Sequence, residues 1–440
     1  MSFTPVQSMG GGHGPVALSP AGSAREIIAT RGVVTYFQPI LSARQKSVTG
    51  LEALSRGIIG VEALSRGSLL PADEREGRLI APGRLFAMAD EEGCRAELER
   101  LCRETAIRNF AKLDSRHDDL ILFLNFDPAA ADERPGPGNL LDTCRRWGVS
   151  PNRVAVEVLE SRFEDTKRLR DMLARFRECG FLLVLDDVGT GHSNLDRIPL
   201  IKPDILKVDR SLIAGVDQDY HKQETLKCLV HLARKTGALV VAEGIETQQE
   251  AIVSLELGAD LLQGFFLARP DRGGAASVEE ATQRVDQLAR DYKQYMVAKI
   301  NGKKLQHRRF SIILNEILCE LAVSEVAQFD GVIARVIRRF PRVECVYVLD
   351  EAGVQVTDTV CNPEVESRSS GVMFRPAPKG ADHSLKEYYY ILLDVELHKF
   401  TTDPYVSLAS GNVCRTISTV FRDASNNKMY ILCIDVLCEG

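Results

Sequence analysis

Two adjacent carboxylates, Asp186 and Asp187, end the apolar run FLLVLDD and are followed by Gly189, Thr190 and Gly191. Acids side by side at a strand end can reach two neighbouring divalent ions, and the glycines let a substrate approach the turn. Five further runs end in an acid or amide: ILFLN at Asn125, RVAVEVLE at Glu157 and Glu160, DILKVD at Asp209, ALVVAE at Glu243 and DLLQG at Gln263. Oxygen ligands with almost no histidine among them suit hard cations such as Mg²⁺ or Mn²⁺, whereas zinc and copper would draw on His and Cys. Two such ions about 3.5 to 4 Å apart clamp a phosphodiester, lower the pKa of the attacking water and stabilise the leaving oxygen. Lys207, within ILKVD, would position that water or offset phosphate charge. A single strand-end Asp or Asn usually caps the following helix. Six such ends on one rim point to chemistry.

The elements that must carry these groups are short. Apolar runs of four to seven residues rich in β-branched side chains read as strands buried on both faces, and amphipathic helical stretches alternate with them. The expected fold is α/β, a TIM-like (β/α)8 barrel whose strands deliver their last residues to one mouth. REIIATRGVVTYFQPIL and SVTGLEALSRG, separated by ARQK, read as a strand hairpin entering the barrel. LEALSRGIIG at 51 to 60 is then repeated as VEALSRGSLL at 61 to 70, so one copy is surplus.

With 440 residues the chain should hold two folded units. Residues 1 to 25 read as a flexible tail without export-signal character, 26 to 275 as the barrel, 276 to 341 as an amphipathic helical connector interrupted at Asn301 and Gly302, and 342 to 440 as a small α+β domain. The connector's apolar face requires a partner, either a second subunit, giving a homodimer, or the C-terminal sheet. Within the last unit VECVYVLD, GVQVTDTV, YYYILLDVEL, VCRTISTVF and KMYILCIDVL read as strands, with Tyr388, Tyr389 and Tyr390 alternating across one of them. A net charge of −6 argues against a nucleic-acid polymer as partner, and no apolar stretch approaches the roughly 20 residues of a membrane span. Eleven cysteines without CxxC or zinc-like spacing read as reduced thiols of a cytoplasmic protein.

In order and spacing, QPI (38 to 40), EALSR (52 to 56), the Asn125 strand, EVLE (157 to 160), DDVGTGHSNL (186 to 195), LKVDRS (206 to 211), VVAEGIET (240 to 247) and QGFFLARP (263 to 270) resemble the EAL-domain cyclic di-GMP phosphodiesterases. The resemblance implies hydrolysis of one phosphodiester of cyclic di-GMP to linear pGpG, with Mg²⁺ or Mn²⁺ in a two-metal site. It carries one metal to Glu52, Asn125, Glu157 and Asp186, and the second to Asp186, Asp187 and Glu243. It makes Lys207 the contact to the attacking water and Glu160 the support of the DDVGTG loop. Gln38, Arg56, Asp209, Glu246 and Gln263 match positions that line the substrate or stand behind the ligands. Counting from Gln38 selects Glu52 as the ligand, while counting back from Pro82 admits its duplicate, Glu62. The alternative is a catalytically silent EAL receptor that binds cyclic di-GMP and signals to a partner. DPYVSLASGNVCRTISTVF followed by KMYILCIDV resembles the end of Cache or PAS-like sensor domains, which implies a regulatory unit with a possible unknown small ligand.

Overall fold

Strand β1 (Val33–Ser42) turns directly into β2 (Ser47–Ile59), the hairpin expected around ARQK. The computed structural model describes residues 23–59, 78–113, 119–127, 137–158, 166–190, 194–366, 374–393, 395, 397–423 and 427–438. Glu160, Glu62 and residues 1–22 of the expected N-terminal tail lie outside them. After the short β3 (Arg78–Ile80) come β4 (Ile121–Phe126), β5 (Val154–Val158), β6 (Leu182–Val188), β7 (Ile205–Val208), β8 (Leu239–Ala242), β9 (Leu261–Leu262) and the two-residue β10 (Asp271–Arg272). Strands β2 and β4 to β9 pair in parallel in chain order, and β1 pairs antiparallel with both β2 and β9. The result is a closed eight-stranded barrel with one reversed strand. That reversal departs from a regular (β/α)8 pattern, because a tight hairpin leaves no room for a helix between β1 and β2.

REIIA is helical, not a strand: the segment Ala24–Ala29 is capped by Ser23, whose side chain accepts from Glu26 N–H. The Glu92 carboxylate accepts the Ala24 and Arg25 N–H groups at 2.7 and 3.0 Å, and so satisfies two further donors of that first turn. Around the barrel, helices such as Arg95–Phe110, Thr166–Glu178, Tyr220–Thr236 and Gln248–Leu257 bury one face against the outward strand residues.

The pleat decides what faces inward. Ile40, Phe123, Ala155, Val184, Ile205, Val241 and Leu261 form a separate apolar plug inside the barrel. Two positions on along each parallel strand stand Asn125, Glu157, Asp186, Lys207, Glu243 and Gln263, and on the reversed β1 Gln38 precedes Ile40 by the same step. Because side chains alternate with a period of two, the plug and the polar groups share one face of every strand. On β2 the corresponding step runs from Gly50 to Glu52. A Cβ at Gly50 would lie 2.5 Å from Phe123 Cε2 and 2.9 Å from Ile121 O, so the Phe123 ring fills the space a side chain would need.

The chain divides into two compact units at Met296/Val297. A single 48-residue helix, Ala275–Ala322, crosses that boundary and runs through Asn301 and Gly302, which were expected to break it. One glycine costs a helix only about 1 kcal/mol, and burial on both sides outweighs it. Val278, Ala281, Val285 and Leu288 are buried in the barrel's outer core, while Leu314, Ile317 and Leu321 are buried in the core of the second unit. The expected connector is therefore not a separate segment. Its C-terminal half finds its partner in the second unit's own sheet and the helix Phe329–Val336.

That sheet is built from β11 (Val343–Leu349), β12 (Val360–Cys361), β13 (Lys399–Thr401), β14 (Tyr405–Val406), β15 (Val413–Arg422) and β16 (Met429–Leu437). Its order is β12-β11-β16-β15-β13, with β14 also on β15, and every pairing is antiparallel. GVQVTDTV contributes only β12 and isolated bridges, and YYYILLDVEL begins with a helix, Glu387–Leu393, instead of a strand. Helical spacing separates the three tyrosines: Tyr388 is buried, Tyr389 donates its hydroxyl to Glu351 O, and Tyr390 is exposed. No helix among the described residues is long and apolar enough to cross a membrane.

Gly50→Ala should lower the unfolding free energy by about 1 to 3 kcal/mol, the usual cost of overpacking. Chemical denaturation of Gly50→Ala, Phe123→Leu and the double variant checks it: the double variant should lose less than the two singles together.

Candidate functional site

Lys207 sits at the centre of the barrel mouth with its side chain almost wholly buried. Its ammonium lies 2.6 Å from Glu157 Oε1, 2.6 Å from Glu243 Oε1, 3.4 Å from Glu52 Oε2 and 3.5 Å from Asp186 Oδ1. Four strands thus send carboxylates to one nitrogen. Burial pulls the Lys207 pKa down, but Glu157, Glu52, Glu243 and Asp186 outweigh it and hold the group well above the usual lysine range. Burial pushes the Glu157 carboxyl well up, Lys207 opposes that, and Glu52 and Asp186 add to it. Burial likewise raises Glu243 to about 8, against the pull of Lys207 and with the push of Asp186 and Glu52. One ammonium cannot satisfy four acids in so dry a place.

Asp187 extends the group. Its backbone is left-handed, φ 55°, and with Gly189 at φ 106° it turns β6 outward. The Asp187 N–H donates to Asp186 Oδ1 at 2.9 Å, and its carbonyl accepts from the Thr190 hydroxyl. Burial raises the Asp187 carboxyl, with Asp186 and Asp209 adding to the shift. Oxygens of Asp186, Asp187 and Glu243 come within 4.8 Å of one another. Ionised together, Glu52, Glu157, Asp186, Asp187 and Glu243 would leave four negative charges beyond the one positive charge of Lys207. Glu157 Oε2 is buried with no hydrogen-bond partner among the described residues. An excess of buried oxygen charge and an orphaned carboxylate oxygen are what a hard divalent cation would satisfy.

The other expected residues fall into three groups. Gln263 donates through Nε2 to Glu52 and, at 3.3 Å, to Gln38 Oε1, and Gln38 Nε2 donates to Ala268 O at 3.4 Å. This chain fixes Glu52 from behind, and Gln38 and Glu52 are direct register partners in the hairpin. Asn125 stands beside Glu157 in the β4–β5 register and is exposed, with no tie to the Lys207 cluster among the described residues. Asp209 caps the turn Arg210–Ile213, its Oδ1 accepting Ser211 N–H at 2.8 Å. Arg56 lies over the Tyr36 ring, 4.9 Å from its centroid. Among the described residues, Glu52 is brought to Lys207.

A cavity of about 300 Å³ opens over the cluster, lined by Gln38, Glu52, Asp186, Asp187, Lys207 and Glu243, and at its rim by Arg210, Glu246 and Phe265. Arg210 was not singled out from the sequence, although it follows Asp209 in LKVDRS. Its guanidinium bonds Gly244 O at 2.6 Å and pairs with Glu246 at 2.8 Å beside the cavity. Glu250 was also missed. It accepts the N–H groups of Gly215, Glu246 and Thr247 at 2.9 to 3.0 Å, which outweigh burial and hold its pKa down. The Thr247-x-x-Glu250 capping box was legible as the signal for this turn.

A closed α/β barrel with a mouth of carboxylates fit for hard divalent cations is the class this structure defines. Residues 21–270 match the model of the EAL domain, and the chain belongs to that family. It is 27% identical over 400 residues to the uncharacterized EAL-domain containing protein YkuI of Bacillus subtilis, covering 88% of this chain and 91% of that protein. It is 25% identical over 251 residues to the probable cyclic di-GMP phosphodiesterase PdeB of Escherichia coli, covering 57% of this chain and 45% of that one. The solved structure of Bacillus subtilis YkuI in complex with substrate c-di-GMP and calcium superposes with a TM-score of 0.73 at 23% identity, over 95% of this chain and 100% of that chain. Both units therefore share that protein's fold.

The raised carboxyls set a pH dependence. Glu243 is raised from 4.5 to about 8, so its contribution to metal-free stability is present below its unfolded value and is lost as pH climbs through about 8. The thermal midpoint of chelator-treated protein should therefore fall between about pH 5 and pH 8, and millimolar Mn²⁺ should restore it most strongly at pH 8. Scanning calorimetry across that range is the check; a midpoint insensitive to Mn²⁺ at pH 8 would count against cation binding by these acids.

Proposed function

We propose that the chain is a cyclic di-GMP phosphodiesterase that hydrolyses one phosphodiester to give linear pGpG, with its C-terminal unit regulating the reaction. The observation that carries this reading is the convergence of Glu52, Glu157, Asp186, Asp187 and Glu243 at one mouth in excess of the single Lys207 cation. The proposed ligands are Glu52, Asn125, Glu157 and Asp186 for one Mg²⁺ or Mn²⁺, and Asp186, Asp187 and Glu243 for the other. Such ions, when bound, acidify a water and neutralise charge on the phosphodiester.

The chain's own residues do the rest. Lys207 fixes Glu157 and Glu243 at 2.6 Å, so the acids are oriented before substrate arrives. In this reading the same ammonium faces the attacking water, and Glu243 stands ready to take part in moving its proton. Arg210 and Glu246 form the wall of the cavity that receives the phosphate, Phe265 offers a ring to a guanine base, and the Gln38–Gln263 pair keeps Glu52 from turning away. Arg56 and Asp209 act behind this wall.

For the second unit we propose a Cache/PAS-like sensor role, with a homodimer as the working state in the cytoplasm. An antiparallel sheet beside a cavity of about 530 Å³, lined by Tyr347, Tyr388, Tyr405, His383 and Asp435, supports a small ligand there.

Purified full-length protein with Mn²⁺ or Mg²⁺ should convert cyclic di-GMP to pGpG, and Glu52→Ala or Asp186→Ala should reduce turnover by at least about 10²-fold. Chromatography of the products decides: binding by calorimetry with no pGpG would instead identify a receptor. Removal of residues 300–440 should change oligomeric mass in solution or basal turnover, and a truncated barrel equal to the full chain in both would remove the regulatory role.

A further inference from the structure

Cys345 on β11 and Cys361 on β12 are direct cross-strand partners, and their sulfur atoms lie 2.9 Å apart. Antiparallel partners hold their Cα atoms about 4.5 to 5.5 Å apart, which is inside the span that a disulfide bridges. From 2.9 Å the sulfurs need to close by only about 0.9 Å to reach bonding distance. The two thiols differ in access: Cys361 is exposed on the short edge strand and Cys345 is fully buried behind it. That asymmetry supplies an attacked sulfur and a resolving one.

We infer that Cys345 and Cys361 form a reversible intrachain disulfide when the protein meets a peroxide. The Cys361 thiolate attacks one peroxide oxygen, the O–O bond breaks, and a sulfenic acid forms while the hydroxide that leaves takes up the proton the thiol gave up, becoming water. The Cys345 sulfur then attacks the sulfenic sulfur, the S–O bond breaks, and the hydroxyl leaves as a second water with the Cys345 proton. Two thiols have lost two electrons and the peroxide has gained them. The hydrogen bond with Cys345 draws the Cys361 pKa below its ordinary value, against burial, which favours the attacking form.

The bond would close a loop that carries the cavity wall. Residues 346 to 360 contain Thr359, and Thr359 and Tyr347 both line the 530 Å³ cavity, each two positions from one of the cysteines. Strand β12 pairs with β11 at Cys345–Cys361 and Val346–Val360, and the next residue, Asn362, donates its N–H to Glu344 O at 2.7 Å and its Nδ2 to Val343 O at 3.0 Å. Oxidation therefore adds a covalent tie to a wall that hydrogen bonds alone now hold, and the reduced and oxidised proteins present the cavity with different stiffness.

The full-length protein is exposed to hydrogen peroxide, blocked with N-ethylmaleimide and digested without reductant. Mass spectrometry should find one peptide pair joining Cys345 to Cys361 in more than half of the molecules, released by dithiothreitol, and amide exchange of residues 359 to 362 should slow in the oxidised form. In Cys345→Ser, Cys361 should go on to sulfinic acid at the same peroxide dose. Wild-type protein in which Cys361 reaches sulfinic acid, or bonds a cysteine other than Cys345, overturns the inference whether or not the variant folds.

Discussion

A buried ammonium surrounded by more carboxylates than it can neutralise is the constraint on which the barrel's organisation rests. Lys207 is the element that lets Glu52, Glu157, Asp186 and Glu243 come together at all, since acids this close and this dry repel one another. It does so incompletely. Burial first, and the neighbouring acids after it, push Glu157 and Glu243 upward, so a divalent ion entering this mouth would compete with protons instead of merely adding to a finished structure.

The scaffold below converts a local rule into that arrangement. Every barrel strand except β2, where Gly50 yields its place to the Phe123 ring, sets an apolar residue in the plug and, one pleat further, a polar residue in the mouth. A slip of one residue in any strand would send its acid to the helix layer and an aliphatic side chain to the mouth. The apolar plug therefore does more than fill volume: it fixes register, and register fixes the cluster.

Much of this was legible in the sequence because short apolar runs ending in acids encode both the strand and its open end. Asp186, Glu157, Glu243 and Lys207 could be assigned to one rim from pattern alone, and the hairpin placed Glu52 opposite Gln38. What the sequence concealed were tertiary decisions. Asp209 was read as lining the substrate or standing behind the ligands, and its spacing to Ser211 also suits the helix cap that its Oδ1 makes. The REIIA segment looks like a strand until Ser23 and Glu92 supply its missing hydrogen-bond acceptors. Gly302 looked like a stop, but helix propensity is a weak preference beside two buried faces. The tyrosine run has the composition of a strand and the burial of a helix, which only packing against the neighbouring sheet distinguishes.

The left-handed backbone at Asp187 carries one more consequence. Asparagine tolerates that conformation about as readily as aspartate, whereas most other residues do not. A single codon change to Asn would keep the turn and remove one carboxylate, so the charge at the mouth can change by a whole unit without first losing foldedness.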